Sequence, residues 1–372
     1  MKKIAWVTTA RSEYGASRWV IKAIQDDPDL ELELWVGGTH LDSNSYDEII
    51  NDGYKVNVVG FYGAHDTGYS CYSLAASIKA CSAEMIKNKP DMMIINGDRI
   101  ELMAYVLAAT IHGIPIAHIG GGEITDGSID NETRYAISRY AHLHLVSDDQ
   151  AAANLIRSGE EPFRVRVVGQ CGLENMVRTE KLSLEETSQR IGLDLSLPTA
   201  LCIYYPSREV NISIQGQIDC IIDTLNDIDM QTVFIYPCAE IGEGIVRDTI
   251  DEHCRTHDNC RAFTNLDNQL FQSLMQHSLF MIGNSSCGVI EYPFTGHKTI
   301  NIGSRQGGRH CYPSVVDTEY SVDDIICSIN HVMGPSTGGI MLPENYYPSQ
   351  KIIQVIKANI GKSELLHKKI LL

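Results

Sequence analysis

Between Ile94 and Ser147 short apolar runs alternate with polar loops, and a helical pattern fills the gap between the first two. Met92–Ile95 runs into Asn96-Gly97-Asp98-Arg99, Ile114–Ile119 runs into Gly120-Gly121-Gly122-Glu123, and Leu143–Val146 follows. Unbroken apolar runs of this length suit strands buried on both faces of a parallel sheet. Such a pair needs a crossover, and Glu101–Ile111, rich in Leu, Ala, Met and Val, reads as its helix. The order is strand, acid, helix, strand, acid. Ligands of open α/β sheets bind at such strand ends, so this stretch carries the candidate catalytic half.

Beyond the glycines, Asp126, Asp130 and Arg134 are spaced i, i+4, i+8, so a helix opened by Ser128 places them along one stripe. Two acids near a helix start with an arginine partner are equally the pattern of an ordinary dipole-complementing surface. The triple glycine favours the functional reading, because three successive glycines cost backbone entropy and are kept where dihedrals are unusual or backbone approaches a ligand.

A length of 372 residues exceeds one ordinary core and suggests two domains. The change of composition after Gly169-Gln170-Cys171-Gly172, into the charged segment 178–190, divides them. The expected domains are 1–170 and 171–372, with the last helix able to pack back on the first. The formal charge of −17 argues against nucleic-acid and membrane partners, so an anionic substrate needs a local cluster of cations and N–H groups. Cysteines sit in apolar or helical contexts such as Leu201-Cys202-Ile203 without a Cys-x-x-Cys pair, the usage of reduced thiols in a cytoplasmic protein. Arg11-Ser12-Glu13 interrupts any signal-peptide core, and no apolar run approaches the ~18 residues of a membrane span. His142 and His144 alternate on one strand face as a structural wall, and no histidine pattern points to a metal.

Along the chain, Lys3–Thr8 is a strand, followed by Thr9-Ala10-Arg11-Ser12-Glu13-Tyr14-Gly15 and a helical pattern at Trp19, Val20, Ala23 and Ile24. A strand, polar turn and helix start form an anion site to which Arg11 adds charge; the alternative is a surface pair between Arg11 and Glu13. Leu32–Val36, Val56–Val59 and Val165–Val168 are further strands, with helices over 72–86 and 149–157. The second half repeats the alternation with strands at Ala200–Tyr205, Thr232–Tyr236 and Ser278–Gly283 and helices over 215–225 and 244–255. There Gly283-Asn284-Ser285-Ser286 brings hydroxyls and N–H groups to a helix start, as a diphosphate needs, though Ser285 could simply cap that helix. Glu291 lies within reach of a ribose hydroxyl, and Arg305 and Arg309 stand on a glycine-bearing loop suited to clamp phosphates.

Taken together, the Thr9–Gly15 turn, Gly97-Asp98-Arg99, Gly121-Gly122-Glu123 with Ile129-Asp130 and Arg134, Gly283-Asn284-Ser285-Ser286, and Arg305-Gln306-x-Gly308-Arg309 resemble the hydrolysing UDP-N-acetylglucosamine 2-epimerases of sialic-acid and legionaminic-acid biosynthesis, in the same order through nearly the whole chain. The resemblance implies a glycosyltransferase-B-like α/β fold, two Rossmann-like doubly wound domains with the nucleotide sugar in the cleft, no metal and no other cofactor. It implies anti elimination of UDP across C1–C2 of a 2-acetamido sugar, then syn addition of water to give the free manno-configured sugar. Arg11, Ser285 and Ser286 would hold the diphosphate and Glu291 the ribose, with Tyr205, Arg305 and Arg309 also on the substrate. Asp98 and Asp130 would handle protons, with Glu123 and Arg134 close by. Partners implied are the UDP-sugar and further copies of the chain, as dimer or tetramer.

Two positions depart from the family pattern. Gly120 stands where relatives commonly carry Glu or His, and Tyr205-Pro206 where they carry His-Pro. Tyrosine, with an ordinary pKa near ~10, is a poor base at neutral pH, which leaves Asp98 and Asp130 for proton transfer, while Gly120 would widen the sugar pocket. A related nucleotide-sugar hydrolase or glycosyltransferase without epimerisation, or a catalytically impaired nucleotide-sugar binder, are the alternatives.

Overall fold

The computed structural model describes residues 1–42, 45–60, 71–125, 130–228, 230–238, 242–309, 312–334 and 340–371. The chain forms two compact units: Met1–Ile124, Ile129–Glu174 and Tyr346–Leu372 make the first, Thr125–Ser128 and Asn175–Asn345 the second.

In the first unit the strands are β1 (Lys2–Thr8), β2 (Leu30–Val36), β3 (Val56–Val58), β4 (Met92–Asn96), β5 (Ile116–Ile119), β6 (Leu143–Val146) and β7 (Val165–Val167). They form one sheet in the order β3-β2-β1-β4-β5-β6-β7, every pairing parallel. Its helices are α1 (Arg11–Asp26), α2 (Ser45–Asn51), α3 (Cys71–Lys87), α4 (Leu102–Ile111), α5 (Asp130–Tyr140) and α6 (Asp149–Arg157). The apolar runs become strands because both faces are covered: Ile4, Ala5, Trp6 and Val7 of β1 and Met92 to Ile95 of β4 are fully buried. Alternate residues feed two clusters, Ile4, Trp6, Met92 and Ile94 on one side of the sheet and Ala5, Val7, Met93 and Ile95 on the other.

The crossing helix α7 (Leu173–Arg178) carries the boundary between the units. The second unit has α8 (Leu184–Ile191), β8 (Thr199–Ile203), α9 (Ile214–Ile228), β9 (Gln231–Ile235), α10 (Glu243–Thr256), β10 (Cys260–Phe263), α11 (Asn268–His277), β11 (Phe280–Gly283), α12 (Ser286–Ile290), β12 (Lys298–Ile302), β13 (Val315–Thr318) and α13 (Val322–Val332). Its sheet runs β10-β9-β8-β11-β12-β13, again parallel. The last helix, α14 (Pro348–Asn359), buries Ile352, Ile353 and Ile356 in the cluster that holds Val20, Ile21 and Ile24 of α1.

The charged segment 178–190 is not simply a connection. Ser183 accepts from the Glu186 amide while the Glu186 carboxylate accepts from the Ser183 amide, a reciprocal cap that starts α8. Asp126 and Ser128 lie outside the described residues, and α5 is described from Asp130 onward. No described helix is long and apolar enough to cross a membrane.

Candidate active site

Both sheets reverse their winding once, between β1 and β4 in the first unit and between β8 and β11 in the second. Crevices at the carboxyl ends of the strands flanking such a reversal are where open α/β sheets take ligands. The loops leaving β4, β8 and β11 contain Asp98, Tyr205 and Ser285, and Arg11 opens the helix that follows β1.

In the first unit, Arg134 of α5 is the gathering point. It is 1% exposed; one guanidinium nitrogen pairs with the Asp98 carboxylate and the other donates to the Glu123 carbonyl at 3.1 Å. Burial alone would lower its pKa, but Asp98, Glu123 and Asp130 hold it above the usual arginine range. The Glu123 carboxylate accepts from Gln170 Nε2 at 3.4 Å. Thus Asp98, Glu123 and Asp130 share one buried cation, Arg134.

The glycines before Glu123 have separate reasons. Gly122 has φ +81°, and a Cβ there would lie 2.3 Å from the Ala151 carbonyl oxygen, so only glycine lets the loop pass. Gly120 has φ +79°, the left-handed region that favours glycine, and among the described residues no atom beyond its chain neighbours stands within 4 Å of where a Cβ would be.

At the end of β1, α1 already begins at Arg11, inside the stretch expected as a polar turn, and the surface partner expected for Arg11 is elsewhere. Glu13 is 6% exposed and folds back on the turn, accepting from the Thr9 amide at 2.5 Å, the Thr9 hydroxyl at 3.0 Å and the Ala10 amide at 3.3 Å. Burial pushes its carboxyl up to about 8, with Arg99 opposing and Glu101 adding to the rise. The Thr9 and Ala10 amides are therefore already engaged by a side chain of the same turn. Burial, with Arg99 and Arg11 adding to it, holds the pKa of His40 down to about 3. Sequence reasoning missed Glu13 as a structural member of this site, although glutamate three residues after the cap position is a recognisable signal.

In the second unit, Asn284 is the hub. Fully buried, it accepts from the Tyr205 amide at 2.7 Å through Oδ1 and donates to the Tyr205 carbonyl at 2.8 Å through Nδ2. Its own carbonyl accepts from Arg305 Nη1 at 3.2 Å and Gln306 Nε2 at 2.8 Å. The Arg305 guanidinium lies 4.5 Å from the Tyr205 ring centroid, a cation–π contact. One asparagine thereby ties together the loops bearing Tyr205, Ser285 and Arg305. Just before it, Gly283 has φ +132°, and a Cβ would fall 2.1 Å from the Ile203 carbonyl oxygen.

Ser285 is the residue before α12, but its hydroxyl makes no capping bond; it lies 3.1 Å from Cys287 Sγ. Ser286, the first residue of α12, is half-buried. Among the described residues nothing hydrogen-bonds the Glu291 carboxylate, and burial pushes it up to about 7. Arg309 is half-buried on the same loop as Arg305, its amide donating to the Gln306 carbonyl at 3.2 Å.

The chain resembles known proteins over nearly its full length. It is 29% identical over 340 residues to the hydrolysing UDP-N,N'-diacetylbacillosamine 2-epimerase of Legionella pneumophila, covering 90% of this chain and 89% of the relative. It is 30% identical over 324 residues to the hydrolysing GDP/UDP-N,N'-diacetylbacillosamine 2-epimerase of Campylobacter jejuni, covering 86% and 84%. The crystal structure of the Neisseria meningitidis UDP-GlcNAc 2-epimerase bound to UDP-GlcNAc shares the fold, with a TM-score of 0.77, 16% identity, and coverage of 96% of this chain and 100% of that one. The expected pair of Rossmann-like units of a glycosyltransferase-B-like chain is thus present. Residues 22–357 match the model of the family described as UDP-N-acetylglucosamine 2-epimerase, and the chain belongs to that family.

Proposed function

We propose that the protein is a hydrolysing 2-epimerase that converts a UDP-linked 2-acetamido sugar into UDP and the free manno-configured sugar. The observation that carries this reading is the convergence of Asp98, Glu123 and Asp130 on the buried Arg134, at the carboxyl ends of β4 and β5. The proton at C2 is weakly acidic, so its removal needs a carboxylate held in place, while a neighbouring acid handles the return proton. Asp98 and Asp130 take these roles, and Glu123 and Arg134 hold the acids in register.

In the first half-reaction the C2–H bond is broken, the C1–O bond to UDP is broken and a 2-acetamidoglucal forms. In the second, water adds its oxygen to C1 and a proton is delivered to C2 on the other face. The departing diphosphate gathers negative charge, which cations and preorganised donors stabilise. Arg11, Ser285, Ser286, Arg305 and Arg309 are assigned to it, Glu291 to the ribose, and Tyr205 to the substrate beside Arg305.

The open space at Gly120 favours a sugar bulkier than N-acetylglucosamine, a 2,4-diacetamido-6-deoxy sugar, and the names of the Legionella and Campylobacter relatives agree with that choice. Such a product belongs to the supply of sialic-acid-like or legionaminic-acid-like sugars, made in the cytoplasm by a homo-oligomer. Proton NMR of the products from the two UDP-sugars tests the reading. A free manno-configured sugar, formed with higher kcat/KM from the diacetamido substrate, supports it; a free gluco-configured sugar or a glycoside refutes epimerisation, and a preference for UDP-N-acetylglucosamine removes the argument from Gly120.

A further inference from the structure

We propose that His118 is a positioning residue for Asp98, holding the peptide before it through the Gly97 carbonyl and closing a ring of contacts with Ser138 and Arg134. The proposal rests on the assignment of Asp98 to proton transfer.

His118 lies on β5 and is fully buried. Its Nε2 is 2.8 Å from the Gly97 carbonyl oxygen and its Nδ1 is 3.0 Å from the Ser138 hydroxyl. A carbonyl only accepts, so Nε2 carries the hydrogen; a neutral ring then leaves Nδ1 to accept from the Ser138 hydroxyl. Burial holds the ring's pKa down to about 3, so the ring is neutral at neutral pH, and the Gly97 carbonyl selects the tautomer with hydrogen on Nε2.

Both bonds end on segments that carry site residues. Gly97 immediately precedes Asp98, and Ser138 lies one helical turn beyond Arg134 on α5, whose guanidinium pairs with Asp98. The path runs from the Asp98 backbone to the Gly97 carbonyl, through the imidazole to Ser138, along one turn of α5 to Arg134 and back to the Asp98 carboxylate. The carboxylate is thus fixed from two sides, by its own peptide and by its counter-ion.

The middle glycine of the triplet fits the same device. A Cβ at Gly121 would stand 2.9 Å from His118 Nδ1 and 2.7 Å from Ser138 Oγ, so a side chain there would push the two apart. Because the Gly97–Asp98 peptide is planar, loss of the Nε2 bond frees the whole unit to tilt. A displacement of about 1 Å at a reacting group can cost ~10²-fold in rate.

Asparagine and glutamine at 118 separate the two bonds. The glutamine amide is long enough to donate to the Gly97 carbonyl; the asparagine amide reaches only toward Ser138. In steady-state assays with the UDP-sugar, His118→Asn is expected to lower kcat by at least ~10-fold with KM and UDP affinity within about twofold, and His118→Gln to recover to within about threefold of wild type. Wild-type kcat in the Asn variant, or equal impairment of the Asn and Gln variants, overturns the proposal.

A second readout does not need turnover. With ¹³C-labelled aspartate, and Asp98→Asn to identify the resonance, the Asp98 carboxyl is titrated in wild type and in His118→Asn. Its midpoint should move by at least ~0.5 pH units, because the geometry to Arg134 changes; an unmoved midpoint overturns the proposal. A wild type that turns over no UDP-sugar would sink the reaction reading while this titration still decides the role of His118.

Discussion

Arg134 pairs with the Asp98 carboxylate through one nitrogen and donates to the Glu123 carbonyl through the other at 3.1 Å, so a single buried side chain sets the ends of β4 and β5 against each other. Removing the charge of either proposed proton-transfer group should therefore affect chemistry more than binding. Asp98→Asn and Asp130→Asn are each expected to lower kcat by ~10²-fold or more with little change in UDP affinity, as for lost acid–base groups. Steady-state kinetics with calorimetry of UDP binding checks this, and a fall in UDP affinity that matches the fall in kcat would assign the acids to binding instead.

Arg11 and Ser286 are assigned to the diphosphate. Each substitution by Ala should weaken UDP binding by about 1–2 kcal/mol, the scale of one hydrogen bond to a charged group. Ser286→Ala should raise KM more than it lowers kcat. Unchanged calorimetric affinity in both variants would place the diphosphate elsewhere.

Glu291 has a pKa raised to about 7 by burial, and a ribose hydroxyl donates better to the ionised carboxylate. Binding then favours the deprotonated form, so UDP affinity should rise as pH climbs through about 7 and level off above it. Glu291→Gln should flatten that rise, which isothermal titration calorimetry from pH 6 to 8 measures against wild type as control for the titration of UDP itself. The same slope in both proteins would contradict the assignment.

How much of this was legible in the sequence depended on what each residue touches. The strands β1, β4 and β6 and the helix α6 could be read closely, because continuous apolar runs or a clear helical period report local burial, and Asp98, Glu123 and Arg134 followed from strand ends and from i, i+4 spacing. The segment 178–190 misled because its charge resembles a connector, whereas the reciprocal Ser183–Glu186 cap makes a helix. Asn284 and His118 were hidden for another reason. Their partners, Tyr205 and Arg305 for one, Gly97 and Ser138 for the other, lie on distant segments, and no spacing encodes a tertiary hydrogen bond.

Glu160 holds the C-terminal segment to α5 within the first unit. It accepts from His144 Nε2 at 3.0 Å and Arg139 at 2.9 Å and pairs with Lys368 at 2.7 Å. Lys368 also donates to the carbonyls of Arg139 and Ala141 at 2.9 and 2.8 Å. Burial would raise the Glu160 pKa, but the bonds from His144 and Lys368 bring it down to about 2. A carboxylate depressed on folding contributes stability above its unfolded pKa, near ~4.3, and loses that stability as pH falls through its folded value. The melting temperature of wild type should thus drop more between pH 5 and 2 than that of Glu160→Gln, and parallel curves would show that the buried cluster adds nothing.

The central claim is that the C2–H bond breaks and is remade from solvent. Running the wild-type reaction on the UDP-linked sugar in D₂O and reading C2 of the released sugar by proton NMR tests it directly. Elimination followed by addition of water places deuterium at C2 of a manno-configured product. A released sugar that carries only protium at C2 would contradict the account and leave direct hydrolysis or glycosyl transfer at C1.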